Sequence, residues 1–203
     1  MPSICSTLLI GSRNPGKIRE IKLAMDGLPL TLKSLDRVGN LSVPKELGET
    51  YAENAIIKAT DYGRQTGMCV LADDSGLEVN WLKGAPGLHS ARFGAGSDSD
   101  RVELLLAKLI EAANGDRRAR FVSVVAIVHP KVGVLNVAEG ECRGRISRAP
   151  LGSNGFGYDP VFVPDGYELT FAQLPNEVKA RISHRAKSLA LTRDFLMGLL
   201  TAA

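Results

Sequence analysis

Apolar and polar positions divide the chain into segments of different period. Residues 6–12, "STLLIGS", are a short apolar run of the kind a buried strand needs. The run breaks at Asn14-Pro15-Gly16, after which Ile18, Ile21 and Met25 recur at helical spacing. Asn14 suits the N-cap, where its side chain accepts from a free N–H, and Pro15 suits the first turn, where no N–H is required. Residues 30–48 show neither period and are punctuated by Gly39, Pro44 and Gly48, so they read as irregular. Thr50-x-x-Glu53 is a capping box. It predicts a helix with Ala52, Ala55, Ile56 and Ala59 on one face and Gly67 at its end.

"MCVLA" (68–72) predicts a strand with Asp73 and Asp74 at its C-terminal edge, and a loop marked by Gly84, Pro86 and Gly87 follows. Val102, Leu105, Leu106 and Leu109 form the face of a helix predicted from Ser99 to Ala113. Residues 119–130 and 132–142 read as two long strands in a hairpin, 152–160 as a glycine-rich loop, and 161–163 as a short strand. Ser183 is placed to cap a last helix running to Leu200, with Ala186, Leu189, Ala190, Leu196 and Leu200 at helical spacing. Helices and strands both occur but do not alternate strictly. The expected fold class is α/β, a mixed sheet flanked by helices rather than a purely parallel one.

Composition narrows this picture. With 44% hydrophobic and 23% charged residues in 203, the chain can build one large core or one domain in two lobes. No apolar tract approaches the ~18 residues of a membrane span, and the N-terminus lacks the basic start of a signal peptide. Cys5, Cys69 and Cys142 are odd in number and widely spaced, which favours buried free thiols and a cytoplasmic protein. A net charge of +3 suits a small anionic ligand, and with no basic stripe it offers no footprint for nucleic acid.

Four segments could carry chemistry, each with a plainer alternative. "SRNPGK" (12–17) leads a strand into a helix N-terminus, where free N–H groups, the helix dipole and Lys17 favour phosphate. It lacks the Walker pattern and also reads as a capped surface helix. The carboxylates of "DDSG" (73–76) stand where α/β folds place ligands and could bind Mg²⁺ with help from Glu46, Glu49 or Glu53; the alternative is a solvated turn. "SNGFGYDP" (153–160) offers backbone for close approach and Phe156 for stacking, or is an ordinary glycine-rich turn. In "KARISHR" (179–185), His184 and Arg185 oppose the dipole of the helix they begin, a local conflict of the kind found at functional sites.

These segments, with "ETYAENAIIKA" (49–59), "ADDSGLEV" (72–79), "GAPGLHSARF" (84–93), "GFGYDPVFVP" (155–164) and "EVKARISHRAKSL" (177–189), extend over nearly the whole chain. In their order and spacing the chain resembles the inosine triphosphate pyrophosphatase (ITPase) family of nucleotide house-cleaning enzymes. The resemblance implies a single ITPase-like domain over residues 1–203, an elongated mixed β-sheet flanked by helices, and two lobes around a central cleft. It also implies a homodimer and Mg²⁺-dependent hydrolysis of ITP, dITP and XTP to monophosphate and pyrophosphate, with no nucleic-acid or membrane partner.

By the same resemblance, Ser12, Arg13, Asn14, Pro15, Gly16 and Lys17 would hold the phosphates together with Lys58. Asp74 would be the catalytic acidic residue and, with Glu46, a metal ligand, while Ser75 would contact the substrate. Phe156, Gly157, Tyr158 and Asp159, with Lys179, His184 and Arg185, would form the base pocket, Arg185 donating to a 6-oxo group. Asp73 would support the site from behind. Ser12 stands where many members carry Thr, "FGAGSDSDR" (93–101) lacks the family's usual aromatic-Ser-Gly wording, and Cys142 replaces a common Trp. Two other readings stand beside this one, a Maf-like nucleotide pyrophosphatase of other specificity and a nucleotide-binding module without catalysis.

Overall fold

The computed structural model describes residues 6–110 and 115–201. In chain order these form β1 (Thr7–Ile10), α1 (Pro15–Ala24), β2 (Thr31–Ser34), α2 (Tyr51–Thr66), β3 (Cys69–Val79) and α3 (Asp98–Lys108). Then come β4 (Arg118–His129), β5 (Gly133–Ile146), β6 (Phe162–Pro164), α4 (Asn176–Ile182) and α5 (His184–Thr201). Among the described residues the strands make one sheet in the order β2-β1-β3-β4-β5-β6. β1 runs parallel to β2 and β3, whereas β5 and β6 are antiparallel, so the sheet is mixed as expected.

The chain divides into two compact units. The first holds the residues up to Asp74, Ser123–Gly140 and those from Arg185 on; the second holds Ser75–Val122 and Glu141–His184. In the first unit, Leu8, Ile10, Leu71, Val125 and Ile127 pack with Ile21 and Met25 of α1 and Leu189 and Leu196 of α5. Leu9, Val70, Ala72 and Val128 point the other way, onto Ala59 and Tyr62 of α2. Burial on both faces explains why these strands read as unbroken apolar runs. The second unit is built on Leu77, Val79, Leu105, Leu109, Phe121, Phe162 and Phe171. Phe121 and Phe162 lie tilted with centroids 4.7 Å apart, a favourable arrangement for two ring quadrupoles.

The helix boundaries have local causes. Asn14 Oδ1 accepts from Lys17 N–H at 3.1 Å and Pro15 opens α1. Both hydrogen bonds of the Thr50–Glu53 capping box are made, and Gly67 ends α2 at φ 68°, a conformation that costs a residue without Cβ little. α3 begins one residue earlier than the pattern predicts, because Ser97 and Asp100 form a second capping box.

Four expectations are corrected. β2 lies in a stretch read as irregular; four residues with mostly half-exposed side chains carry too little pattern to reveal an edge strand. α4 fills a segment given no helix, and Ser183 is the extended residue that ends it, just before α5. β3 does not stop at Ala72 but continues through Asp73 and Asp74 to Val79, so the acidic pair sits within the strand. Of the cysteines, Cys142 is a buried free thiol and Cys69 is disulfide-bonded, while Cys5 lies outside the described residues. Apolar surroundings foretell burial of sulfur, not its redox state. The end of the helix predicted to Ala113 also falls among residues outside the description.

Candidate active site

The period of two on β3 decides which groups meet. Leu71 faces the α1 and α5 side and Val70 and Ala72 face α2, so Asp73 falls on the first side and Asp74 on the second. Lys17, in the first turn of α1, brings its Nζ to 2.6 Å from Asp73 Oδ1. Arg185 Nε donates to Asp73 Oδ2 at 3.3 Å and Arg185 Nη1 donates to Glu20 Oε2 at 2.6 Å. Ser123 Oγ also donates to Asp73 Oδ2, at 2.8 Å. On the other side Lys58, from α2, donates to Asp74 Oδ1 at 2.8 Å and stands 3.6 Å from Glu46 Oε1.

The loop carrying Glu46 is tied to the start of α2. Gly48 N–H donates to Asn54 Oδ1 at 2.8 Å and Glu49 N–H to Glu53 Oε2 at 2.6 Å. A Cβ at Gly48 would lie 2.6 Å from Glu53 Cβ, so the loop closes this tightly only with glycine there. Of the candidate acids upstream, Glu46 is the one that reaches the Lys58 ammonium; the Glu49 side chain is exposed.

These surroundings separate two adjacent carboxyls. Burial alone would raise Asp73, but Arg185 and then Lys17 outweigh it and hold the group well below the usual carboxylate range. Asp74 moves the opposite way: burial raises it, and the pull of Lys58 does not fully compensate. Burial also holds Lys17 below an ordinary lysine, helped by Arg185 and Lys58 and opposed by Asp73. Arg185, which burial would lower, is raised by Asp73 and Glu20. Asp73 is therefore a fixed anion, and Asp74 the better proton acceptor.

A second cluster lies in the second unit. Phe156 N–H and Lys179 Nζ both donate to Asp159 Oδ2, at 2.9 and 2.6 Å, and the ammonium stands 4.7 Å from the centre of the Phe156 ring. Gly155 holds φ 78°, where a Cβ would collide with the Asp159 carboxylate. Gly157 N–H donates to Asp98 Oδ2 at 2.7 Å and Tyr158 Oη to Ser90 O at 2.9 Å. Burial pushes the Tyr158 phenol up to about 12, so it remains a donor. His184 stacks on Phe121 at 4.6 Å between centroids, inclined by 11°.

The structure gathers Lys17 with Asp73 on one side of β3 and Lys58 with Asp74 and Glu46 on the other, a first, charged cluster around the strand, and brings Phe156, Asp159 and Lys179 into a second. Arg185, expected in the base pocket, has its guanidinium on Asp73 and Glu20. Ser12 accepts from Asn14 N–H at 3.2 Å, Arg13 donates to Leu41 O at 2.8 Å, Pro15 is exposed, Gly16 is buried and Ser75 is half-buried. Among the described residues no three His, Cys, Asp or Glu side chains converge as a metal cage. Asp74 and Glu46 do converge on one cation, the Lys58 ammonium. Two hard carboxylates of this kind fit Mg²⁺, which often takes its remaining ligands from waters and substrate phosphates.

The family model of the Ham1 family matches residues 8–195. This chain belongs to the Ham1 family. A dITP/XTP pyrophosphatase of a Nostoc species is 43% identical over 97% of both chains. One from Deinococcus deserti is 46% identical over 90% of this chain and 86% of its own. A Ham1 protein of Staphylococcus aureus superposes with a TM-score of 0.84 at 38% identity, covering 95% of this chain and 98% of that one. A HAM1 protein of Coxiella burnetii gives 0.83 at 34% identity, covering 97% and 99%. The α/β fold with its mixed sheet is thus a Ham1 fold, in keeping with the resemblance in the sequence.

Within this Ham1 chain, several residues of the clusters escaped sequence reasoning: Glu20, Asn54, Asp98, Ser123 and Ser188. Ser123 left a trace, a lone hydroxyl in the apolar run "FVSVVAIV". Glu20, on a polar helix face, and Asp98, before an apolar face, left none.

Proposed function

We propose that the chain is an Mg²⁺-dependent nucleoside triphosphate pyrophosphatase that converts ITP, dITP and XTP to the monophosphate and pyrophosphate. The observation that carries this reading is the division of Asp73 and Asp74 between two lysines, one at a helix N-terminus and one sharing Asp74 with Glu46. The names of the Ham1 relatives support the substrate class. The first cluster has the chemistry of a triphosphate, the second that of a flat base.

Lys17, Lys58 and the free N–H groups at the start of α1 offset the charge of the triphosphate. Asp74 and Glu46 would hold Mg²⁺, which would neutralise phosphate oxygens and favour loss of pyrophosphate. Asp74 orients water for in-line attack at the α-phosphorus. The new P–O bond forms as the bond to the bridging oxygen breaks, pyrophosphate leaves with that oxygen, and the proton given up by the water passes to the Asp74 carboxylate. Phe156 offers a stacking face, and Lys179 and His184 supply donors suited to a 6-oxo purine and unsuited to the 6-amino group of adenine.

This reading takes residues 1–203 as one functional domain acting as a homodimer on the cytoplasmic nucleotide pool, without nucleic acid or membrane. Among the described residues no helix is long and apolar enough to cross a membrane. The test is pyrophosphate release from ITP, dITP, XTP, GTP, ATP and pyrimidine triphosphates, with Mg²⁺ and with EDTA. Release confined to ITP, dITP and XTP and abolished by EDTA is expected; preference for a pyrimidine nucleotide, or no release, would overturn it.

A further inference from the structure

Asp73 is a buried carboxylate held at both oxygens. Oδ1 faces Lys17 Nζ, and Oδ2 takes Ser123 Oγ–H at 2.8 Å and Arg185 Nε–H at 3.3 Å. Behind Ser123 lies a second hydroxyl, Ser188 of α5, with 3.0 Å between the two Oγ atoms. Both serines are fully buried, and Ser123 shares its strand face with Val125 and Ile127, where an apolar side chain would be the ordinary occupant.

The proton inventory gives this chain a direction. Ser123 Oγ–H is directed at Asp73 Oδ2, so the single proton of Ser123 is committed to that carboxylate. Ser123 can then only accept from Ser188, whose proton is shared between Ser123 Oγ and Arg185 O at 3.2 Å. The Ser123 bond is the shorter of the two on Oδ2, and it resists rotation of the carboxylate. That rotation would carry Oδ1 away from Lys17.

We propose that Ser123 and Ser188 are positioning residues for phosphate binding: Ser188 donates to Ser123, Ser123 donates to Asp73, and Asp73 so oriented holds the Lys17 ammonium at the N-terminus of α1. This rests on the reading that Lys17 binds the triphosphate. A hydroxyl pair at β4 and α5 thereby sets the place of a charge on α1.

The test is calorimetric titration of the full-length protein with inorganic pyrophosphate at fixed Mg²⁺, well below the melting temperature of each variant. Ser123→Ala is expected to weaken binding by about tenfold, and Ser188→Ala by about threefold, since the donor to Asp73 remains. Thr192→Ala is the control, because its equally buried hydroxyl on α5 donates to Ser188 O at 2.8 Å and leads away from Asp73. It should lower the melting temperature without changing affinity. Undiminished affinity in both serine variants, or an equal loss in Thr192→Ala, would overturn the positioning role alone. Failure of the unsubstituted protein to bind pyrophosphate would overturn the phosphate reading as well.

Discussion

Asp73 and Asp74 leave β3 on opposite faces, and that parity gives each a separate electrostatic environment. Asp73 is enclosed by two cations and a hydroxyl, whereas Asp74 shares one ammonium with Glu46. The Asp74→Asn enzyme should lose most of its turnover while still binding nucleotide, as read by pyrophosphate release beside a nucleotide titration. Near-normal turnover would remove Asp74 from the chemistry. Asp73→Asn should loosen Lys17 and also cost about 3–5 kcal/mol of stability at neutral pH, because Arg185 and Lys17 lose the charge that compensates their burial. The folded-state value of Asp73 is lowered, so its contribution is present above the ordinary carboxylate range and is lost as pH falls below about 4. Urea unfolding should therefore show the gap between wild type and Asp73→Asn narrowing as the solution is acidified.

The elements deliver these residues through their ends. α1 presents Lys17 because Asn14 and Pro15 start it two or three residues earlier, and α2 presents Lys58 two turns after its capping box. Thr50→Ala should cost about 1 kcal/mol of stability by freeing the Glu53 N–H. It should also weaken pyrophosphate binding, since the same turn anchors the loop bearing Glu46; an intact affinity would show that the loop holds without the cap. Both caps were legible in the sequence because capping is local, a side chain bonding to an N–H two or three residues away. β2 and α4 were not, since four and seven residues hold too little periodicity to stand out from a loop.

Over the whole molecule, each unit carries its own core, and the second depends on a cluster of aromatic rings. Phe162 is fully buried between Phe121 and Phe171, with its centroid 5.2 Å from that of Phe171. Phe162→Ala should cost about 3–5 kcal/mol in chemical denaturation. A loss under 1 kcal/mol would mean that the rings repack around the cavity.

The sequence alone determined the α/β class, the long helices with the caps of α1 and α2, the hairpin strands, the family likeness and most residues of both clusters. Each of those signals is short-range or periodic: an N-cap, a run of apolar residues, a motif of fixed spacing. Only the tertiary structure decided that β3 runs on through two aspartates, since the charges permitting it come from Lys17, Lys58 and Arg185, far apart in the chain. It also placed Glu46 rather than Glu49 on the shared cation, and brought Arg185 to Asp73 and Glu20. Partnership between buried charges depends on which faces of distant elements meet, and no local pattern encodes that.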